Sequence, residues 1–213
     1  MGPLPQALKE AGFEVALPAL RGHGTRPEDL AGVRYQDWLA DARAAYRDLA
    51  PPRAVVGLSM GGLLAAWLAA EDGAEALVAL APALGFRNPL ASLAPYLHWL
   101  IPRHAGESSI LDPELKKRSP NYPWFPSRAF VELYRLARLT PEKLSRVEAS
   151  ALVIAAGVDT VVPRSAVRRY FEGLGSRDKT FWVLEDSGHD MLLDRHRDEA
   201  ARRVVTFLQE KLL

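Results

Sequence analysis

Three dispersed residues have the types that nucleophilic acyl transfer needs. They are Ser59 in Gly57-Leu58-Ser59-Met60-Gly61, Asp159 in Gly157-Val158-Asp159-Thr160, and His189 in Ser187-Gly188-His189-Asp190. A serine hydroxyl is a weak nucleophile until a base takes its proton and a third group orients that base. Ala54, Val55 and Val56 precede the serine as a short apolar run, and the Leu- and Ala-rich stretch Leu63–Ala70 follows it. Strand, sharp turn and helix is the context that makes G-x-S-x-G a nucleophile elbow. Gly57 and Gly61 are expected to remove side chains that would clash in that turn. The helix after Ser59 points its free N–H groups and positive dipole end at the reacting centre.

The elements needed to position these residues are legible along the chain. Pro3–Ala11 predicts a short helix and Phe13–Leu17 a strand closed by Pro18, followed by the Gly- and Pro-containing loop RGHGTRPEDL from Arg21 to Leu30. Apolar residues at helical spacing, from Tyr35 to Leu49, predict a helix ended by Pro51 and Pro52. After the elbow come a strand at Ala76–Ala81, a strand at Ala151–Ala156, a helix at Arg164–Leu174, a strand at Thr180–Leu184 and a helix at Asp194–Leu213. Strands alternating with helices predict a parallel sheet covered on both faces. Ligands in such sheets bind beyond the C-terminal strand ends. Asp159 and His189 both follow strands there. Asp186 and Asp190 are rival acids, but they share the loop of His189, a poor place from which to orient it. Asp159 has a second role open to it, capping the helix after Pro163.

Residues 83–148 break the alternation. They are rich in Pro, Trp, Tyr and Leu, with helices expected near Leu90–Ile101 and Ser127–Leu139. The chain therefore divides into residues 1–82 with the elbow, an insertion at 83–148, and residues 149–213 with the acid and the histidine. The insertion is expected to act as a helical lid, with Trp99, Trp124 and Phe125 as substrate-binding candidates. A small helical core against the sheet is the competing reading of the same residues.

Composition narrows the rest. The chain has 213 residues, a formal net charge of +1 and no cysteine. Near-neutral charge favours neither nucleic acid nor an acidic surface. Without cysteine there is no disulfide or thiolate chemistry, and the five histidines show no metal-ligand spacing. No signal pattern opens the chain, and no apolar run is long enough to span a bilayer. A cytoplasmic protein with no metal and no cofactor is expected.

The motifs RGHGTRPEDL, GLSMGG, DTVVP and SGHD resemble those of the α/β-hydrolase superfamily, and within it bacterial carboxylesterases and monoacylglycerol lipases. They span most of the chain in the superfamily's order, Ser59, Asp159, His189. The resemblance implies Ser59 as nucleophile, His189 as general base and acid, and Asp159 as orienting carboxylate. It further implies that the Met60 N–H donates to the oxyanion and that His23 shapes its loop. The implied activity is hydrolysis of short- to medium-chain carboxylic esters. The superfamily also places further strands and a His-Gly oxyanion loop before the first helix, where Met1–Pro5 stand here. The expected fold is thus an α/β-hydrolase lacking N-terminal strands, a sheet of about five strands in which Phe13–Leu17 pairs with Ala54–Val56. A longer natural start, or another copy of the chain forming a homodimer, are other ways to fill that place. The absent oxyanion strand also motivates a different class of function, a non-catalytic binding protein on a hydrolase scaffold.

Overall fold

The computed structural model describes residues 1–106 and 109–213. Its centre is a parallel sheet of β1 (Ala54–Leu58), β2 (Ala76–Leu80), β5 (Ser150–Ala156) and β6 (Lys179–Leu184), in the order β1-β2-β5-β6. A hairpin within the insertion supplies the remaining described strands, β3 (Arg103–Ala105) and β4 (Trp124–Pro126). Every residue of β2 is buried, and all but the first of β5. Both are continuous apolar runs, as interior parallel strands covered on two faces require. β1 alternates between half-buried and buried residues, as befits its place at the edge.

The period-two geometry of the strands splits the core into two layers. Val55, Leu77, Ala79, Ala151, Val153 and Ala155 face one layer. It is closed by α2 (Tyr35–Arg47), α3 (Met60–Glu71), α6 (Ser127–Leu139), α7 (Pro141–Leu144) and α8 (Arg164–Gly173). Ala76, Val78, Leu80, Leu152 and Ile154 face the other, closed by α1 (Leu4–Glu10) and α9 (Arg197–Leu212). α3 is buried almost all round, because it lies between the sheet and the helices α2, α6 and α7. The register sets Leu58 beside Leu80 and Leu80 beside Ile154, so the strands end level and their following loops converge.

Two expectations need correction. Phe13–Leu17 joins no ladder among the described residues, and the central sheet has four strands, not five. A cavity of about 510 Å³ lies between, lined by Ala16, Leu17 and Pro18 on one side and Ala54–Leu58 on the other. Ladder pairing needs backbones roughly 4.8 Å apart, and this space separates them. Phe13 and Val15 pack on the α1–α9 layer instead. Leu90–Ile101 is also not one helix. It is a 3₁₀ turn at Pro89–Leu93 followed by the four-residue helix α4 (Ala94–Leu97). Pro95 has no N–H to give to a carbonyl four residues back, so a continuous helix cannot run through it. A further short helix, α5 (Pro113–Lys117), precedes β4. The predicted helix at Ser127–Leu139 forms as α6, and it packs on α2 and α3 as part of the core.

Candidate active site

The sharp turn at Ser59 is the local feature from which the site grows. Ser59 has φ 55° and ψ −115°, a conformation that non-glycine residues adopt only when their surroundings enforce it. Its N–H donates to the Leu80 carbonyl at 2.8 Å, which extends the β1–β2 ladder by one bond. Its carbonyl accepts from Gly62 and Ala83. Those bonds hold the backbone while the hydroxyl projects beyond the sheet. Gly57 is required by contact, since a Cβ there would lie 2.0 Å from the Gly61 carbonyl oxygen. Gly61 itself is a correction: a Cβ at that position meets nothing within 4 Å. The clash is one-sided because residue 61 already lies in α3 with its side-chain direction turned to open space.

Parallel strand order brings the other groups to Ser59. β5 ends at Ala156 and leads to Asp159; β6 ends at Leu184 and leads to His189. His189 Nε2 is 2.8 Å from Ser59 Oγ, and Nδ1 is 2.8 Å from Asp159 Oδ2. Asp159 and His189 are both buried. The second Asp159 oxygen accepts from the Val161 and Val162 N–H groups, each at 2.8 Å. One carboxylate therefore shapes its own loop and faces the histidine. Arg87 adds a grip from the insertion, its Nε donating to the Asp159 carbonyl at 2.6 Å. Asp186 is exposed. Asp190 accepts from the Ser109 N–H and from Asn121.

A cavity of about 430 Å³ opens in front of the serine, lined by Ser59, Met60, Phe125, Phe130 and Leu133 among others. Met60 is the first residue of α3, so its N–H belongs to the helical turn that has no carbonyl four residues back. Phe125 lines this cavity, whereas Trp124 and Trp99 do not. Trp99 is 70% exposed, and the ring of Trp124 lies under the Arg103 guanidinium.

His23 also borders the cavity. Its edge meets Trp38, and burial holds its pKa below the ordinary histidine value, against weaker upward effects from backbone groups of Arg21 and Leu20. The Tyr122 hydroxyl accepts from the Thr25 N–H and donates to the Gly22 carbonyl, so the insertion clasps the loop that carries His23. Three residues escaped the sequence reading: Ser109, Thr160 and Asp194, all packed behind His189. Thr160 left a trace in the DTVVP motif, and Asp194 as the start of the helix expected at Asp194–Leu213, which begins instead at Arg197. The insertion segment that meets Asp194 is distant in sequence.

A parallel sheet with helices on both faces, carrying a serine on a strained strand-to-helix turn, defines the chain as an α/β-hydrolase. The family model described as serine aminopeptidase, S33 (Hydrolase_4) matches residues 1–196, and the chain belongs to that family. It is 30% identical to the thermostable monoacylglycerol lipase of Bacillus sp. (strain H-257), with 97% of this chain and 84% of that protein aligned. It is 22% identical to a carboxylesterase of Bacillus subtilis (strain 168), over 97% of this chain and 85% of that protein. Among solved structures, one from work on the metagenome-derived lipolytic enzymes LipS and LipT superposes with a TM-score of 0.91 at 30% identity, covering 97% of this chain and 86% of that one. The monoacylglycerol lipase of Paleococcus ferrophilus shares the fold, with a TM-score of 0.79 at 21% identity over 97% of this chain and 87% of that one.

Proposed function

We propose that this chain is a serine carboxylester hydrolase that works through an acyl-enzyme. The observation that carries the proposal is His189 held between Ser59 Oγ and Asp159 Oδ2 at 2.8 Å on each side. As Ser59 Oγ attacks an ester carbonyl, Nε2 takes the hydroxyl proton. Asp159 faces Nδ1–H, which fixes the tautomer with Nε2 free to accept and stabilises the imidazolium that forms. Negative charge develops on the carbonyl oxygen, and the Met60 N–H at the start of α3 is the proposed donor to it. His189 then protonates the leaving alcohol. Water enters, gives its proton to Nε2 and attacks the acyl carbon, and Ser59 regains its proton as the acid departs.

The proposed substrates are short- to medium-chain esters, including monoacylglycerols. The apolar side chains of Phe125, Phe130 and Leu133 in the 430 Å³ cavity suit an acyl chain and offer no charge to a peptide. Similarity to the Bacillus lipase and carboxylesterase supports the same reading. Two measurements test it. A fluorophosphonate should label Ser59 covalently, and p-nitrophenyl esters of increasing chain length should be hydrolysed with a clear optimum. A folded protein that resists the label and leaves every ester intact would refute the assignment.

A further inference from the structure

His189 is held from a side that the proton relay does not use. Its backbone N–H donates to Ser109 Oγ at 3.1 Å, and the N–H of the preceding Gly188 donates to Asp194 Oδ2 at 3.0 Å. Asp194 is fully buried. Its carboxylate also accepts from Leu111 at 3.0 Å, Asp112 at 3.1 Å and Arg195 at 2.8 Å, all through backbone N–H groups. Ser109 reaches further: its Oγ is 3.0 Å from Thr160 Oγ1, next to Asp159, and its N–H donates to Asp190 Oδ2 at 3.2 Å. A Cβ at Gly188 would lie 1.9 Å from the Ser109 carbonyl oxygen, so the two backbones meet where only glycine fits.

Two features separate this carboxylate from an ordinary helix cap. The N-cap of α9 is His196, and although the Asp194 main-chain carbonyl accepts from the Arg197 N–H at 3.1 Å, the carboxylate takes its N–H donors from Leu111, Asp112, Gly188 and Arg195, all outside that helix. Two of its four donors come from the insertion, some 80 residues away in sequence. Charge-assisted bonds of this kind are about twice as strong as neutral ones, and a buried carboxylate without them would be costly. The histidine loop and residues 109–112 are therefore joined through one anion.

We propose that Asp194, acting with Ser109, is a positioning residue for His189. By tying the histidine loop to residues 109–112, it sets where the imidazole stands between Ser59 and Asp159. The inference rests on the hydrolase reading above. Asp194→Asn preserves size but turns one acceptor oxygen into an NH₂ group facing backbone N–H donors.

The test is kcat on p-nitrophenyl butyrate, divided by the sites titrated with a fluorophosphonate. A displaced catalytic group costs on the order of 10²-fold per ångström, so Asp194→Asn should lose about 10- to 100-fold in kcat per site. KM should stay within about twofold, because ground-state binding is untouched. Ser109→Ala removes the hydroxyl that accepts from the His189 N–H and meets Thr160 Oγ1, and should lose about 3- to 10-fold. The NMR resonance of the His189 Nδ1 proton should move in both variants. A merely structural role would lower the number of titratable sites and leave kcat per site unchanged, which overturns the proposal. If Asp194→Asn fails to fold, Ser109→Ala decides by the same readouts. If the wild-type chain takes no fluorophosphonate, the hydrolase reading fails. The Nδ1 resonance then judges the positioning alone, with an unmoved resonance in Ser109→Ala overturning it.

Discussion

Asp159 and His189 are joined by a 2.8 Å contact between Oδ2 and Nδ1, although one follows β5 and the other β6. Val158 N–H donates to the Ser187 carbonyl beside them, so the two loops are bonded through backbone as well as side chains. If Asp159 is the orienting acid of the proposed mechanism, replacing it should therefore spoil the proton relay and not the fold. Asp159→Asn keeps an oxygen for Val161 and Val162 but loses the charge facing Nδ1. We expect kcat on p-nitrophenyl butyrate to fall by about 10³- to 10⁴-fold with an unchanged circular dichroism spectrum. Asp186→Asn, altering an exposed carboxylate, should stay near wild type. Comparable losses in both variants would reject the assignment of the acid.

Ser59→Ala should remove both labelling and turnover. The loss in kcat is expected to reach about 10⁴-fold or more, since in the proposed mechanism Ser59 is the nucleophile that His189 and Asp159 activate. The Ser59 backbone is fixed by Leu80, Gly62 and Ala83 through main-chain bonds that the substitution leaves in place. Thermal unfolding should then be close to that of the wild type.

The two elbow glycines should behave differently. Gly57→Ala sets a methyl against the Gly61 carbonyl, closer than any relaxed contact permits. Overpacking costs roughly 1–3 kcal/mol where side chains can yield, and more where the obstacle is backbone. A lowered melting temperature and lost activity are expected. Gly61→Ala enters open space inside α3, where alanine gains up to about 1 kcal/mol in helix propensity. Melting curves and esterase rates of the two variants test the asymmetry directly.

Asp194 also makes a prediction about pH. Burial pushes its carboxyl pKa up, but the N–H donors of Leu111, Gly188, Arg195 and Asp112 outweigh that and hold it below the ordinary aspartate value. A group whose folded pKa is depressed adds stability above its unfolded pKa, about 4, and loses it as pH falls through the folded value. The stability gap between wild type and Asp194→Asn should thus be full near neutral pH and shrink below about pH 4. Urea unfolding across pH 3–7 would measure it, and a gap that widens toward acid would contradict the sign.

Tyr170 is fully buried, and its hydroxyl donates to the Gly62 carbonyl at 2.8 Å, behind the elbow. Burial raises its pKa far above the physiological range, so the phenol stays neutral. Tyr170→Phe should cost about 1 kcal/mol, the net worth of one hydrogen bond, and leave kcat within a few-fold. Denaturant titration and the esterase assay check the two halves separately.

Local chemistry by itself determined the parts that are governed by nearest neighbours along the chain. Short apolar runs alternating with helices marked β1, β2, β5 and β6. Helical spacing marked α2, and α6 stands where a helix was expected within the insertion. Residues confined to loops beyond strand ends pointed to Ser59, Asp159 and His189. Tertiary structure decided whatever depends on distance between remote segments. Phe13–Leu17 stands apart from β1 across a cavity, and no property of those five residues announces it. Gly61 looked sterically required and is not, because the direction of its missing side chain is set by α3. Trp99 looked suited to a pocket and faces solvent, while Phe125 next to Trp124 lines the cavity, a choice made by strand pairing. Asp194 and Ser109 meet behind His189 only because the insertion folds back across about 80 residues of chain. Periodicity and turn chemistry act over a few residues and survive in the sequence. Loop-to-loop contacts are fixed by how the whole chain closes, and they become visible only when it has closed.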